Sequence, residues 1–275
     1  MTSEKVSFQN SRGLNLAGIL DKPDTDGKLP AVVICHGFTG FKEFKPLHEL
    51  GKTFVENGFV ALRFDFSDCI GESEGKCEDM MLSHQVNDTI SAMNFVEDLK
   101  FVDRNKIGLT GHSLGGLTAV VASTTDKRIK AIVPISAPAK REWQNLFDEN
   151  TITKWLQEGS LDYQSYKRGH IKLHHSFIED LQEYDGTKII KNVKRPVRII
   201  QGDNDDIVPV KNAQALFENA NEPKDLKIIE GADHMFLKDE YLNEMVRSNF
   251  RKESYLTVAG IILIILGYFL QLPSK

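Results

Sequence analysis

Short runs rich in apolar residues alternate along the chain with segments in which apolar residues recur every three or four positions. The run at residues 31–35 is unbroken and suits a strand buried on both faces of a sheet, and further strand-like runs occupy residues 59–64, 106–109, 129–135, 197–201 and 227–230. The segments with helical spacing lie between them, at residues 44–57, 86–99, 114–123, 211–219 and about 237–253. This alternation predicts an α/β protein with a mostly parallel, doubly wound sheet.

Two parts of the predicted domain, which spans residues 1–254, depart from this alternation. Residues 5–8 and 14–20 resemble two strands around the turn sequence N-S-R-G, and they would add an antiparallel edge. Residues 137–194 form a long, polar and aromatic-rich excursion between two core strands, with pieces of helical spacing. Because excursions of this length are usually functional, we expect a helical cap over the carboxyl edge of the sheet.

The composition narrows the classes of protein. A chain of 275 residues with 41% hydrophobic content can form one large domain, and its net charge is -5. No basic stripe with interleaved aromatics is present, so nucleic-acid binding is not expected. The cysteines Cys35, Cys69 and Cys77 lack CxxC spacing, which predicts a reducing compartment and neither a disulfide framework nor a zinc site.

The C-terminal residues 255–272 carry no charge. As a helix they would extend about 27 Å, close to the hydrocarbon thickness of a bilayer. Arg247, Arg251 and Lys252 precede this run and only Lys275 follows it, while the polar N-terminus resembles no signal peptide. We therefore predict a single C-terminal membrane anchor with the larger domain in the cytoplasm. A buried core helix or a dimerisation helix is the alternative.

The pentapeptide G-H-S-L-G at residues 111–115 joins a predicted strand to a predicted helix. Glycines are needed at such a turn because strand and helix pass very close together, and the serine hydroxyl projects clear of the backbone. The Leu114 N–H lies at the helix start, where it could stabilise an oxyanion. The motif predicts that Ser113 is a nucleophile; the alternative is a serine that merely caps the helix.

A serine nucleophile needs a base within hydrogen-bond reach and a carboxylate that fixes the tautomer of the base. In a strand–elbow–helix fold the expected chain order is Ser, then Asp or Glu, then His. Three of the four histidines downstream of Ser113 lie in the predicted cap. His234 instead follows a strand and a short turn, where α/β sites are built, so we expect His234 to be the base rather than a helix cap.

The acid and the second oxyanion donor are expected after two other strands. Asp203, Asp205 and Asp206 all follow the strand at 197–201, and the residues alone do not select one of them. Gly37 lets the backbone approach the nucleophile, so the Phe38 N–H is expected to pair with that of Leu114.

Other chemistries find no support. The glycines at 111–116 form neither a Walker loop nor a dinucleotide fingerprint, and His174-His175 lacks partners at metal spacing. No cofactor and no metal are therefore expected. His36 and His112 are expected to be structural.

Six stretches together carry a resemblance to a known family. They are H-G-F-T-G at 36–40, R-F-D-F at 63–66, G-E-S-E-G at 71–75, G-H-S-L-G-G at 111–116, G-D-N-D-D-I-V-P at 202–209 and G-A-D-H at 231–234. The chain resembles serine hydrolases of the α/β-hydrolase fold, especially the cinnamoyl and feruloyl esterase-like group and the neighbouring serine aminopeptidase-like or monoacylglycerol lipase-like group. The family pattern G-x-x-D-x-x-V-P implies that Asp205 is the acid.

The expected function is hydrolysis of carboxylic esters through Ser113, Asp205, His234 and an acyl-enzyme, with the Phe38 and Leu114 amides as the oxyanion hole. The expected substrate is a small-molecule or lipid-like acyl compound. One alternative is an aminopeptidase acting on short peptides. An alternative from another class is a non-catalytic, membrane-tethered binding protein that has the same fold.

Overall fold

The structure is a computed structural model that describes residues 1–139, 147–165 and 167–249. Its strands are β1 (Thr2–Gln9), β2 (Asn15–Lys22), β3 (Leu29–Cys35), β4 (Val60–Phe64), β5 (Val102–His112), β6 (Ile129–Ile135), β7 (Ser160–Ser165), β8 (Gly169–His174), β9 (Val197–Gly202) and β10 (Lys224–Ile229). Its helices are α1 (Lys45–Glu56), α2 (Leu82–Asp98), α3 (Leu114–Thr125), α4 (Glu149–Glu158), α5 (Ser176–Gln182), α6 (Gly186–Ile189), α7 (Lys211–Asn219) and α8 (Asp239–Ser248).

Eight strands form one sheet in the order β1-β2-β4-β3-β5-β6-β9-β10. The hairpin β1–β2 and the pair β2–β4 are antiparallel, and every other neighbouring pair is parallel. One apolar cluster packs α2, α3 and α7 on one face, and a second packs α1 and α8 on the other. This arrangement confirms the predicted α/β-hydrolase fold with its mostly parallel, doubly wound sheet.

The excursion at 137–194 is only partly helical. It contains α4, α5 and α6, but β7 and β8 form an antiparallel hairpin that was not predicted from the sequence. Strand β8 buries Ile171 and Leu173 and exposes His170, Lys172 and His174, which is the alternation of a strand with one solvated face. The indole of Trp155 on α4 donates to the Leu173 carbonyl at 2.9 Å, which fastens the helix to the hairpin.

The predicted membrane location is wrong. Across the described residues no helix is both long and apolar enough to cross a bilayer. A crossing takes about 20 consecutive apolar residues, whereas α2, with 17 residues, carries polar side chains along its length. The segment 255–272, on which the anchor and the C-terminal apolar helix were predicted, lies outside the described residues.

A buried ion cluster fixes the loop that follows β3. The side chain of Lys42 is fully buried, and its ammonium lies 2.7 Å from Asp65 Oδ2 and 2.7 Å from Glu72 Oε2. The backbone N–H of Lys42 also donates to Asp65 Oδ1 at 2.7 Å, and its carbonyl accepts from Arg63 Nη1 at 2.8 Å. The loop is therefore bound at three points to the end of β4 and the segment after it.

Replacing Lys42 with methionine should lower the free energy of unfolding by about 3 kcal/mol, because the buried Asp65 carboxylate would lose its cationic partner. Urea unfolding followed by circular dichroism measures this change. The matched control is Lys45→Met, which removes an exposed pair with Asp239 and should cost less than about 1 kcal/mol. Equal, small losses in both variants would contradict a structural role for the buried cluster.

Candidate active site

The turn between β5 and α3 holds Ser113 in a strained conformation, with φ 55° and ψ -123°. A Cβ on Gly111 would lie 2.2 Å from the Gly115 carbonyl oxygen, and one on Gly115 would lie 2.3 Å from the His36 carbonyl oxygen. Both distances are too short for any side chain, so the tight crossing of strand and helix requires glycine at both positions. The Ser113 N–H donates to the Ile135 carbonyl at 2.8 Å, which ties the turn to β6.

The structure brings Ser113, His234 and Asp205 into one hydrogen-bonded chain. His234 Nε2 lies 3.1 Å from Ser113 Oγ, and His234 Nδ1 lies 2.8 Å from Asp205 Oδ2. The carboxylate can only accept, so Nδ1–H donates to Asp205 and Nε2 is left to accept the serine proton. All three side chains are buried, which strengthens the electrostatic interactions among them.

The Asp205 carboxylate is fixed by four donors. Oδ1 accepts from the backbone N–H of Ile207 at 3.0 Å and of Val208 at 2.7 Å, while Oδ2 accepts from Gln201 Nε2 at 2.8 Å as well as from His234. Burial acts to raise the pKa of Asp205, but the hydrogen bond and charge of His234 and the other donors outweigh it and hold this pKa below its ordinary value. The group is therefore ionised and oriented toward His234.

The other candidate acids have separate roles. Asp203 Oδ1 accepts from the Gly231 N–H at 2.6 Å, so it joins the loops after β9 and β10. Asp206 is exposed. Asp233, and not His234, supplies the cap for the following turn, because its Oδ1 accepts from the N–H groups of the next residues, Met235 and Phe236.

Two backbone amides lie near Ser113. Leu114 begins α3 directly after Ser113, and a Cβ on Gly37 would lie 3.0 Å from Ser113 Cβ, so the loop carrying Phe38 passes close to the serine. Among the described residues neither the Phe38 nor the Leu114 N–H donates to a protein acceptor. Amides in this position can stabilise an anion that forms at the serine.

The buried histidines His36 and His112 order the site without joining the chain of three. His36 Nδ1 donates to the Gly37 carbonyl at 2.8 Å, and its Nε2 accepts from the Phe66 N–H at 3.1 Å. His112 Nε2 donates to the backbone carbonyl of His234 at 2.7 Å. Burial and the charge of His234 lower the pKa of His112 to about 3, so its ring stays neutral beside Ser113.

A cluster of aromatic rings from the 137–194 excursion covers the loop that carries Phe38. The Phe38 ring centroid lies 5.2 Å from that of Tyr163, 5.3 Å from that of Phe177 and 6.1 Å from that of Phe147. Trp155 packs behind Phe147 and Phe177. We call these four residues of the excursion the aromatic roof. It gives the neighbourhood of Phe38 an apolar surface.

Sequence reasoning missed two contacts of the site, and the signals for them were weak. Gln201 is a polar residue at the end of the buried strand β9, and its amide reaches Asp205. His112 lies inside the pentapeptide, but only the structure brings it to the His234 carbonyl. Within the described ranges no group of three or more His, Cys, Asp or Glu side chains is arranged to hold a metal ion.

Comparison by sequence finds a family and several relatives. The pattern of the prolyl oligopeptidase family matches residues 74–251. An uncharacterised 31.7 kDa protein of Escherichia coli is 36% identical over 40% of this chain and 38% of its own length. The thiohydrolase aneE of Aspergillus aculeatus is 34% identical over 49% of this chain and 41% of its own. The chain thus spans about two-fifths of the length of these relatives.

Comparison of structures gives fuller coverage. Est1E from Butyrivibrio proteoclasticus, solved with ferulic acid bound, superimposes with a TM-score of 0.76 at 26% sequence identity. The superposition covers 88% of this chain and 95% of the other. The similarity therefore extends over nearly the whole described fold.

The lowered pKa of Asp205 predicts a pH dependence of stability. Because its folded-state pKa lies below its unfolded value, Asp205 stabilises the fold fully above about pH 5 and progressively less as the pH falls below about 4. The difference in unfolding free energy between the wild type and Asp205→Asn should therefore shrink as the pH falls. Urea unfolding at several pH values measures this difference, with Asp206→Asn as control. A difference that stays constant down to pH 3 would contradict the prediction.

Proposed function

The chain belongs to the prolyl oligopeptidase family and is an α/β hydrolase, and from that premise we propose that it hydrolyses carboxylic esters with Ser113 as nucleophile. The observation that carries the proposal is the position of His234, whose two ring nitrogens contact Ser113 Oγ and Asp205. A non-catalytic binding protein of the same fold would not need this arrangement in a buried site.

The proposed reaction has two steps of the same kind. Ser113 Oγ attacks the carbonyl carbon while its proton passes to His234 Nε2, and Asp205 stabilises the resulting imidazolium. The Phe38 and Leu114 amides hold the oxyanion, each contributing about 3 kcal/mol to the transition state. His234 then delivers the proton to the leaving group as the bond to carbon breaks. Water, activated by His234, attacks the acyl-enzyme and restores Ser113.

Three observations favour an acyl ester or thioester as the substrate. The aromatic roof presents apolar rings beside Phe38, which suits an acyl group better than a charged peptide terminus. A relative that covers part of the chain is a thiohydrolase, and a structure similar over most of it binds ferulic acid. We therefore place an apolar acyl group under the roof.

A peptidase is the second candidate, and the family match is the observation that favours it. Amide hydrolysis would use the same nucleophile and base, so the geometry of the three side chains does not separate the two functions. Comparing p-nitrophenyl esters of different acyl lengths with aminoacyl arylamides on the purified protein separates them. Faster cleavage of the arylamides would favour the peptidase.

Ser113→Ala should lower kcat for p-nitrophenyl butyrate by at least about 10⁴-fold, because the acyl-enzyme can no longer form. The variant should also lose labelling by a fluorophosphonate probe. Ser91→Ala, a change on α2, serves as the control and should retain both activities. Folded Ser113→Ala protein that hydrolyses the ester at the wild-type rate would refute the proposal, and a wild type that does not react with the probe would favour the binding protein.

Replacing the acid should separate Asp205 from its neighbours. Asp205→Asn should lower kcat by about 10⁴-fold, because an amide can donate to His234 Nδ1 and thereby stabilise the wrong tautomer. Asp206→Asn, an exposed change one residue away, should alter kcat by less than about twofold. The measurement is steady-state hydrolysis of the same ester at neutral pH. Similar losses in both variants would exclude the assigned role.

A further inference from the structure

A shallow cavity lies beside the hairpin β7–β8, away from Ser113. It is open to solvent, measures about 310 Å³ and is lined by residues of β8 and of the turn at Cys77–Asp79, and its volume is near the lower end of the range in which small ligands bind. Its polar and charged lining side chains are Lys76, Cys77, Glu78, Arg168, His170 and Lys172. None of them belongs to the hydrogen-bonded chain at Ser113.

The charges around this cavity are mostly positive. Lys76 pairs with Glu78 at 3.7 Å, in an exposed ion pair. Among the described residues no carboxylate lies within ion-pair distance of Arg168, His170 or Lys172. In a chain with a net charge of -5, two unpaired cations, Arg168 and Lys172, thus lie beside one cavity. The positive potential at this cavity attracts an anion, whereas the negative charge elsewhere on the surface repels it.

Arg168 is held in place while most of its donors stay available. One of its terminal nitrogens, Nη2, donates to the Gly71 carbonyl at 2.6 Å, and its backbone N–H donates to Ser165 Oγ at 3.1 Å. The guanidinium also contacts the Cys77 thiol. A guanidinium has five N–H donors in a planar fork, which matches the oxygens of a phosphate group. His170 and Lys172 lie two residues apart on the exposed face of β8 and would contribute further donors.

The cavity is connected to the oxyanion loop through one pair of residues. Ile171, in the cavity wall, is the cross-strand partner of Tyr163. The Tyr163 ring contacts Phe38, and its hydroxyl forms a hydrogen bond with Thr39. Neighbouring strands lie about 5 Å apart. Arg168 and Lys172 therefore belong to the same hairpin that contacts the loop with the proposed oxyanion donor through Tyr163.

We propose that this cavity binds a phosphate group on the leaving group of the acyl substrate. The inference rests on the proposed acyl-enzyme function, in which the acyl group stays at Ser113 under the aromatic roof. The leaving group departs toward solvent, so the exposed and charged cavity suits the leaving group rather than the acyl group. A phosphate-bearing thioester would meet both requirements, since its acyl end is apolar and its thiol end is anionic.

The test compares thioesters that share one acyl group and differ in phosphate content. Butyryl-N-acetylcysteamine has no phosphate, and butyryl-4′-phosphopantetheine has one phosphomonoester. In butyryl-coenzyme A that phosphate is part of a diphosphate, which joins the arm to a 3′-phosphoadenosine nucleotide. The variant is Arg168→Gln with Lys172→Gln, and its control removes two exposed lysines elsewhere, Lys52→Gln with Lys127→Gln. The measured quantity is the ratio of kcat/KM for each phosphate-bearing thioester to that for butyryl-N-acetylcysteamine.

The ratio should fall roughly tenfold in the Arg168/Lys172 variant and change less than about twofold in the control. Asp162→Asn, which removes a carboxylate from the cross-strand partner of Lys172, should raise it. A fall with phosphopantetheine assigns the site to the arm's own phosphate, and a fall with coenzyme A alone assigns it to the nucleotide. A ratio that is unchanged in the Arg168/Lys172 variant, or that falls equally in the control, overturns the proposal.

Binding is measured separately, so that the two proposals can fail independently. Isothermal titration of coenzyme A into Ser113→Ala protein should give a dissociation constant that is raised roughly tenfold by the Arg168/Lys172 changes. If the wild type hydrolyses none of the thioesters but this difference is found, the proposed function fails and the phosphate site stands. If coenzyme A does not bind, or binds equally to both proteins, the phosphate site is refuted whatever the protein hydrolyses.

Discussion

The imidazole of His234 is the one group on which the rest of the site depends, because both of its ring nitrogens form hydrogen bonds. Its Nδ1–H is committed to Asp205, so Nε2 is left to face Ser113 Oγ. The three residues come from the ends of β5, β9 and β10, which run parallel and therefore end at the same edge of the sheet. The strain at Ser113 and the glycines that permit it place the serine hydroxyl within reach of this ring.

The fold and two side chains of the site, Ser113 and His234, were predictable because local patterns encode them. Apolar runs marked the buried strands, and the glycines around Ser113 marked a crossing at which a side chain on Gly111 or Gly115 would collide with backbone. The choice among the three aspartates was different. The sequence pattern alone does not distinguish them, so the prediction of Asp205 rested on the resemblance. In the folded loop after β9, Asp205 contacts His234, whereas Asp203 binds the loop after β10.

The features that were not predicted depend on contacts distant in sequence or on an unspecific pattern. Lys42 is charged and would be assigned to the surface, yet Asp65 and Glu72 bury it. Buried and exposed residues alternate along β8 as in other strands. The lysine and histidines at its exposed positions made the two buried positions, Ile171 and Leu173, hard to recognise in the sequence. The membrane prediction relied on an uncharged run and on the basic residues that flank it. An uncharged run is apolar, but this property alone does not establish a membrane-spanning helix. No membrane-spanning helix is present in the described part of the chain.

The buried Lys42 fixes the loops on one side of Ser113, whereas the aromatic roof is not fixed by this lysine. The loop after β3 and the segment after β4 share one ion cluster, so a change in either disturbs the other. The aromatic roof contacts the first of these loops through ring packing on Phe38 and through the hydrogen bond between Tyr163 and Thr39, and it has no part in the ion cluster. Roof residues can therefore be exchanged for others of similar volume, which changes the apolar surface over Phe38 while the loop beneath it stays fixed.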